Sequence, residues 1–231
     1  MKVFDKIIRL KLWLDNLPNT HVRKSEFKSF GRNSRLEYPC HVESPASVVV
    51  EENVNIRYGL QIINTKTEHV IIKGNTTLAP NVTIVTNNHV PTVGVPFFLL
   101  TSSHVNDKST DIVIEEDCWV GTDAQILSGS CLGRGCVVGA GAIVTKEIPP
   151  YAVVAGIPAK IIAVRFTKEQ ILKHEIELYS EEDRLSTDII NNLFESYYGG
   201  LRSIGKPSIT EEKLLEVIED VKKQKHYIQE Q

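Results

Sequence analysis

From Asp111 to Glu147 an aliphatic side chain returns at every sixth position, at Ile114, Val120, Ile126, Leu132, Val138 and Val144. A period of six fits neither a helix nor an ordinary strand pair. Two residues before each of these lies a second, small or apolar set: Ile112, Cys118, Ala124, Ser130, Cys136 and Ala142. Both sets must point inward. An inward i, i+2 pair every six residues describes short extended segments joined by tight corners, where Gly121, Gly133, Gly135, Gly139 and Gly141 are expected to supply unusual backbone angles. Such hexapeptide periodicity marks a parallel β-helix.

An earlier block repeats the pattern in Val48-x-Val50, Val54-x-Ile56, Leu60-x-Ile62, Val70-x-Ile72, Thr76-x-Leu78 and Val82-x-Ile84, with a slip around Thr65 to His69 that should bulge from one corner. Between the blocks, residues 86–110 obey no hexad rule and contain Pro91, Pro96, His89 and His104. A long excursion from a rigid rod is a place to look for function. The spacing divides the chain into a lead-in at 1–45, the coil at 46–165 with its excursion, and a helical extension at 166–231.

With 231 residues, of which 42% are hydrophobic, the chain can bury a sizeable core but is small for two full domains. A net charge of -3 with scattered Lys and Arg gives no electrostatic footprint for nucleic acid. Cys40, Cys118, Cys131 and Cys136 show no Cys-x-x-Cys spacing, and two of them fill small inward positions, so free thiols in a reducing, cytoplasmic setting are expected.

No apolar run reaches the roughly 18 residues of a membrane span. Residues 1–17 carry Val3, Ile7, Leu10, Leu14 and Leu17 on one helical face and Lys2, Lys6, Arg9 and Lys11 on the other. Their charges and the lack of a small-residue cleavage site read against a secretory leader. This amphipathic helix either caps the coil or packs at an oligomer contact, or it rests on an anionic membrane surface at the inner face. Towards the other end, Thr167-Lys168-Glu169-Gln170 forms a capping box that opens a helix towards Tyr179. A second helix is expected from Ser180 to Gly199-Gly200, and a third after Thr210 with Leu214, Leu215, Ile218 and Val221 as its stripe.

Cys118-Trp119-Val120-Gly121-Thr122, Gly139-Ala140-Gly141-Ala142-Ile143-Val144-Thr145-Lys146, Ile148-Pro149-Pro150 and Val154-Ala155-Gly156-Ile157-Pro158-Ala159-Lys160, in that order, resemble the hexapeptide-repeat acyltransferases. The likeness is to their acetyl-CoA-dependent sugar and xenobiotic O-acetyltransferases. It covers about half the chain. What it implies is a left-handed β-helix with three hexads per triangular turn, assembled as a homotrimer with sites between neighbours. The implied reaction moves acetyl from acetyl-CoA to a hydroxyl of a sugar or polysaccharide precursor, small or lipid-linked.

Acyl transfer to a hydroxyl needs a group that removes the proton as the oxygen attacks, and imidazole suits that task near neutral pH. His89, where the last early hexad runs into the excursion, matches the place of the family's catalytic histidine. His104 lacks a rigid anchor, and His21, His41, His69, His174 and His226 read as surface residues. Trp119 follows the inward Cys118, so its indole points outward, by resemblance near the acceptor or the thioester. The likeness assigns the acetyl-CoA groove to Trp119, Gly121, Thr122, Gly139, Ala140, Thr145, Lys146, Pro158 and Lys160, the lysines meeting phosphates and Gly156-Ile157-Pro158 shaping the adenine end, with Arg165 a weaker third cation.

One departure concerns the acceptor. Where galactoside and maltose enzymes carry an asparagine, this chain reads Arg57-Tyr58-Gly59-Leu60, so Asn64, Asn87 and Asn88 are the candidates to replace its contact. An amine acceptor would use the same base, so N-acetylation of an amino sugar stays open, as does a non-catalytic scaffold. A three-histidine metal site is disfavoured, since no His-x4-His pair occurs and the central region holds only His89 and His104.

Overall fold

The computed structural model describes residues 22–103, 105–206, 208–210 and 212–220. Every residue of both inward sets is at most 2% exposed, in the early block as in the later one. Short parallel strands stack into three faces. The first orders Ser29–Phe30, Val48–Val50, Val70–Ile72, Ile112–Ile114 and Cys131–Leu132. The second runs Arg35–Leu36, Asn55–Ile56, Thr77–Leu78, Trp119–Val120, Val137–Val138 and Ala152–Ala155, and Lys160–Val164 closes it as an antiparallel edge. The third contains His41–Val42, Gln61–Ile63, Thr83–Val85, Gln125–Leu127 and Ile143–Val144. Each turn of chain gives one strand to each face, which makes a three-sided parallel coil. Register is strict: Val50 stacks on Ile72, Ile72 on Ile114 and Ile114 on Leu132.

The coil begins earlier than residue 46. Phe30, Leu36 and Val42, six apart, supply a first turn that pairs with the next on all three faces. Lys28 and Ser34 stand where small apolar partners would be, which hides the hexad. The Ser34 hydroxyl compensates by accepting from Val54 N at 2.9 Å.

Corners are made in two ways. Asn33, Asn53, Asn75, Asp117, Gly135 and Tyr151 stack between the first and second faces with φ from 58° to 69°. Asn and Asp tolerate this left-handed region because a short polar side chain can bond locally. Of the five glycines expected to have unusual angles, only Gly135 and Gly141 do. Gly121 and Gly133 are needed for space instead: a Cβ on Gly121 would lie 2.6 Å from Ala140 N, and one on Gly133 2.5 Å from Pro150 N.

All four cysteines are free, and Cys118 Sγ lies 3.9 Å from Cys136 Sγ inside the stack. The expected N-terminal amphipathic helix lies outside the described residues. No helix among the described residues is long and apolar enough to cross a membrane.

The extension packs along the corner between the first and second faces. Helix Lys168–Leu178 opens on the capping box read from the sequence, with Gln170 N donating to Thr167 Oγ1 and Thr167 N to Gln170 Oε1. Its Glu175, 1% exposed, accepts from Tyr151 Oη, from Arg134 Nη1 at 3.0 Å and from Leu185 N at 2.8 Å. The next helix starts at Thr187, not near Ser180, because Ser186 is the residue whose side chain caps it, through Ile189 N. Residues 212–220 are helical, with Leu214, Leu215 and Ile218 exposed.

His174 is not the surface residue expected, and Arg165 is not a groove cation free to meet a phosphate. His174 Nε2 donates to Asp117 Oδ2 at 2.9 Å, and Arg165 Nη1 donates to the same oxygen at 2.7 Å and to Gly135 O at 3.1 Å. Arg165 is therefore committed to holding the coil's end. Burial opposes ionisation of Asp117, but the His174 hydrogen bond and the Arg165 charge outweigh it and hold the carboxyl below its usual range.

Gly121→Ala should lower stability by about 1–3 kcal/mol, read from the urea midpoint, because the added methyl must push adjacent turns apart; an unchanged midpoint would contradict the close stacking. Asp117 should make stability pH-dependent. Its folded carboxyl titrates below the unfolded one, so the contribution is complete above the unfolded value of about 3.8 and is lost as pH falls through the folded value. Unfolding curves across acid pH should show this slope in the parent protein and lose it in Asp117→Asn.

Candidate active site

The excursion leaves the third face after Val85 as a two-stranded arm. Asn87 pairs with Ser109 and Asn88 with Lys108 in antiparallel register, while Thr110 N donates to Thr86 O at the root. Pro96 opens helix Phe97–Ser103 at the tip. Leu100 is buried there, whereas Val93, Phe97, Leu99 and Val105 are exposed. A ribbon anchored on a rigid rung gives its neck a fixed position and leaves its far end accessible.

His89 stands at that neck. Its Nδ1 lies 3.1 Å from Asp107 Oδ1 and 3.1 Å from Oδ2, with the histidine side chain 33% exposed and the aspartate 11%. An ionised carboxylate has no proton to give, so the nitrogen facing it is the donor and Nε2 of the neutral ring keeps its lone pair. Sequence reading missed Asp107. The signal was the antiparallel return of the arm, which places the partner of His89 18 residues downstream, beyond the reach of hexad counting.

The groove candidates divide between two edges. Trp119 points outward from the middle of the second face, 51% exposed, between Thr77 and Val137 on adjacent turns. Gly121 and Thr122 stack on Gly139 and Ala140 along the corner between the second and third faces, joined by Gly121 N to Val138 O and Gly141 N to Thr122 O, both 2.8 Å. Pro158 and Lys160, both exposed, continue this edge beyond Ile143, whose carbonyl accepts from Ala159 N.

Thr145 and Lys146, also exposed, lie on the opposite edge of the third face. That edge carries the root of the arm, where Thr110 Oγ1 meets Ser128 Oγ at 3.0 Å. Lys146 is two turns further along, roughly 10 Å at the usual strand spacing. Neither Lys146 nor Lys160 forms an ion pair among the described residues. A single chain thus places His89 and most of the groove candidates on different edges of its coil.

Asn64 does not serve as an acceptor contact. It is 2% exposed, its Oδ1 accepts from Ser44 N, and its Nδ2 donates to Ser44 O and Ser47 Oγ, so its polar atoms are used to close a corner. Asn88, exposed on the neck beside His89, remains available to an acceptor. His104 lies outside the described residues. Among those described, no group of three metal-ligating side chains occurs.

Comparison with known proteins bears on the repeat and the fold. Residues 111–146 match the family described as bacterial transferase hexapeptide (six repeats). A galactoside O-acetyltransferase of Escherichia coli K12 is 32% identical over 139 residues, which is 60% of this chain and 64% of that protein. A chloramphenicol acetyltransferase of Klebsiella aerogenes is 45% identical over 64 residues, 28% of this chain and 30% of that protein. The match thus spans less than two thirds of either relative. Among solved structures, a maltose O-acetyltransferase of Clostridium difficile 630 superposes with a TM-score of 0.55 at 25% identity, covering 71% of this chain and 89% of that one. By its repeat and by its fold, the coil is similar to those of hexapeptide-repeat acetyltransferases.

Proposed function

We propose that the chain is an acetyl-CoA-dependent O-acetyltransferase acting on a hydroxyl of a sugar or sugar-like acceptor. In this reading the coil is left-handed and three copies form a homotrimer whose sites are shared between neighbours. The observation that carries it is the His89 imidazole, oriented through Nδ1 by a carboxylate and presented at the root of an arm on a hexapeptide coil.

The donor brings an acetyl group already activated as a thioester. Nε2 of His89 takes the acceptor's hydroxyl proton as the oxygen attacks, then returns it to the departing thiolate. Asn88 and Trp119 border the space in which the acceptor would lie. The residues present suit the donor: the ridge at Gly121-Thr122 and Gly139-Ala140 offers small corners for pantetheine, Pro158 and Lys160 continue that edge to where phosphates and adenine would fall, and Lys146, on the other edge, would reach them from a neighbouring copy. Placing base and ridge on different edges favours a site completed by a second copy.

A screen of hydroxyl and amine acceptors with acetyl-CoA, followed by thiol release, tests the reaction class. Release with hydroxyl acceptors supports it, and release with amines alone would replace it by N-acetylation. His89→Ala should lower turnover roughly 10²- to 10⁴-fold while leaving assembly and donor affinity intact, because a base acts in the transition state. Near-normal turnover would remove His89 from this role. Replacing Lys146 and Lys160 together by Ala should raise KM for acetyl-CoA, most clearly at low salt, with little change in kcat, since exposed lysines act as screened point charges. Acetyl-pantetheine, which lacks the nucleotide end, should not sense the change; equal losses with both donors would place the lysines elsewhere.

A further inference from the structure

We infer that the basic amphipathic segment at residues 1–17 docks on the exposed apolar face of the helix at 212–220, tying the two ends of one chain together. The inference does not depend on the acetyl-transfer reading. It starts from the helix. Thr210 caps its first turn, accepting from Lys213 N through Oγ1 at 3.3 Å and from Leu214 N through its carbonyl at 3.0 Å. Every residue from 212 to 220 is nevertheless exposed, with Leu214 at 48%, Leu215 at 57%, Val217 at 44% and Ile218 at 40%. At helical spacing these four fall on one side and the acidic residues on the other. So short a helix is marginal in water by itself, and its apolar side is what tertiary packing would use to hold it.

Charge selects the occupant. Residues 212–220 carry Glu212, Glu216, Glu219 and Asp220 against Lys213 alone, four acidic less one basic, a net of -3. A second copy of the same helix would set these carboxylates against each other, and an anionic membrane would repel them. Residues 1–17 carry Lys2, Lys6, Arg9 and Lys11 against Asp5 and Asp15, four basic less two acidic, a net of +2, beside an apolar stripe of their own. Stripe meets stripe and the flanking charges are opposite in sign. Length agrees as well. The described chain enters at Val22, buried at the first turn, where Tyr38 Oη donates to its carbonyl at 3.1 Å. The approach to the helix is fastened at the other end of the coil, where Lys173 Nζ on helix Lys168–Leu178 donates to Ser208 Oγ at 3.0 Å. From the first left-handed corner, Asn33, to the last, Tyr151, there are five strand spacings, about 24 Å. Seventeen residues of helix span about 26 Å, with residues 18–21 as the link.

Carbodiimide coupling of the unaltered full chain, which joins an amine to a carboxylate where the two touch, tests the pairing. Coupling of Lys213 to Glu216, whose charged atoms lie 2.6 Å apart, shows that the reaction has run. Peptide mass spectrometry should then find Lys2, Lys6 or Lys11 joined to Glu212, Glu216 or Glu219, in products that keep single-chain mass on denaturing gels. High salt should reduce these products several-fold, since it screens exposed charges. Lys6→Glu with Lys11→Glu should abolish them and speed protease cleavage within 212–220 at least about 5-fold, and adding Glu216→Lys with Glu219→Lys should restore both. The inference is overturned if the internal Lys213 to Glu216 product forms and the terminal ones do not, or if coupling joins the ends of two different chains. Binding of the chain to phosphatidylglycerol vesicles without coupling of its ends overturns it too and gives residues 1–17 to the membrane surface.

Discussion

Stacking of each inward side chain on its counterpart one turn away is the contact on which the rest of the structure depends. Val50, Ile72, Ile114 and Leu132 form one such column, and the other faces repeat it. A fully buried aliphatic contributes roughly 1.5–3 kcal/mol, and parallel ladders between turns satisfy the backbone that this burial removes from water. Exposed ion pairs such as Lys213 with Glu216 contribute at most about 1 kcal/mol and do not compete with it. Adjacent turns fit too closely to slide or bend, which is why Gly121 and Gly133 must lack a Cβ. An arm rooted on such a rung holds His89 at a fixed position, as the proposed role of base requires.

The extension is fixed by a different kind of interaction. Asp117, at a left-handed corner of the coil, receives Arg165 and His174, while Glu175 on the helix receives Arg134 and Tyr151. Each of these carboxylates is largely removed from water and needs its donors, because breaking one partner of a buried pair leaves an uncompensated charge. Desolvation together with the nearby Glu175 charge pushes the Tyr151 hydroxyl well above its ordinary range, so it remains a donor across physiological pH. Arg165, offered by resemblance as a third cation of the groove, is thereby committed to the fold.

The hexads made the inward columns and the division into turns legible, because side-chain period is a local property of sequence. The first turn escaped notice where Lys28 and Ser34 interrupted the apolar pattern, although Phe30, Leu36 and Val42 keep the spacing. Corner chemistry was readable in part. The Asn, Asp or Gly directly before each small inward residue, as at Asn53, Asn75, Asp117 and Gly135, is the signal for positive φ, whereas the demand for space at Gly121 depends on the neighbouring turn and leaves no local trace. At the candidate site His89 was singled out by its place at the end of a hexad. Asp107 was not, since it reaches His89 only through antiparallel pairing of a segment without periodicity. Asn64 erred in the other direction, an exposed-looking polar residue that the fold buries to close a corner.

The central proposal is that His89 of one copy acts as base against the donor ridge of another. Co-expressing two individually inactive chains tests it most directly: His89→Ala, and a chain whose groove is blocked by Ala140→Trp at an exposed corner. Mixed oligomers should recover part of the acetyl-transfer activity, because some interfaces then pair an intact base with an intact ridge. Mixed oligomers that form but stay inactive would contradict the shared site and place base and donor on the same chain.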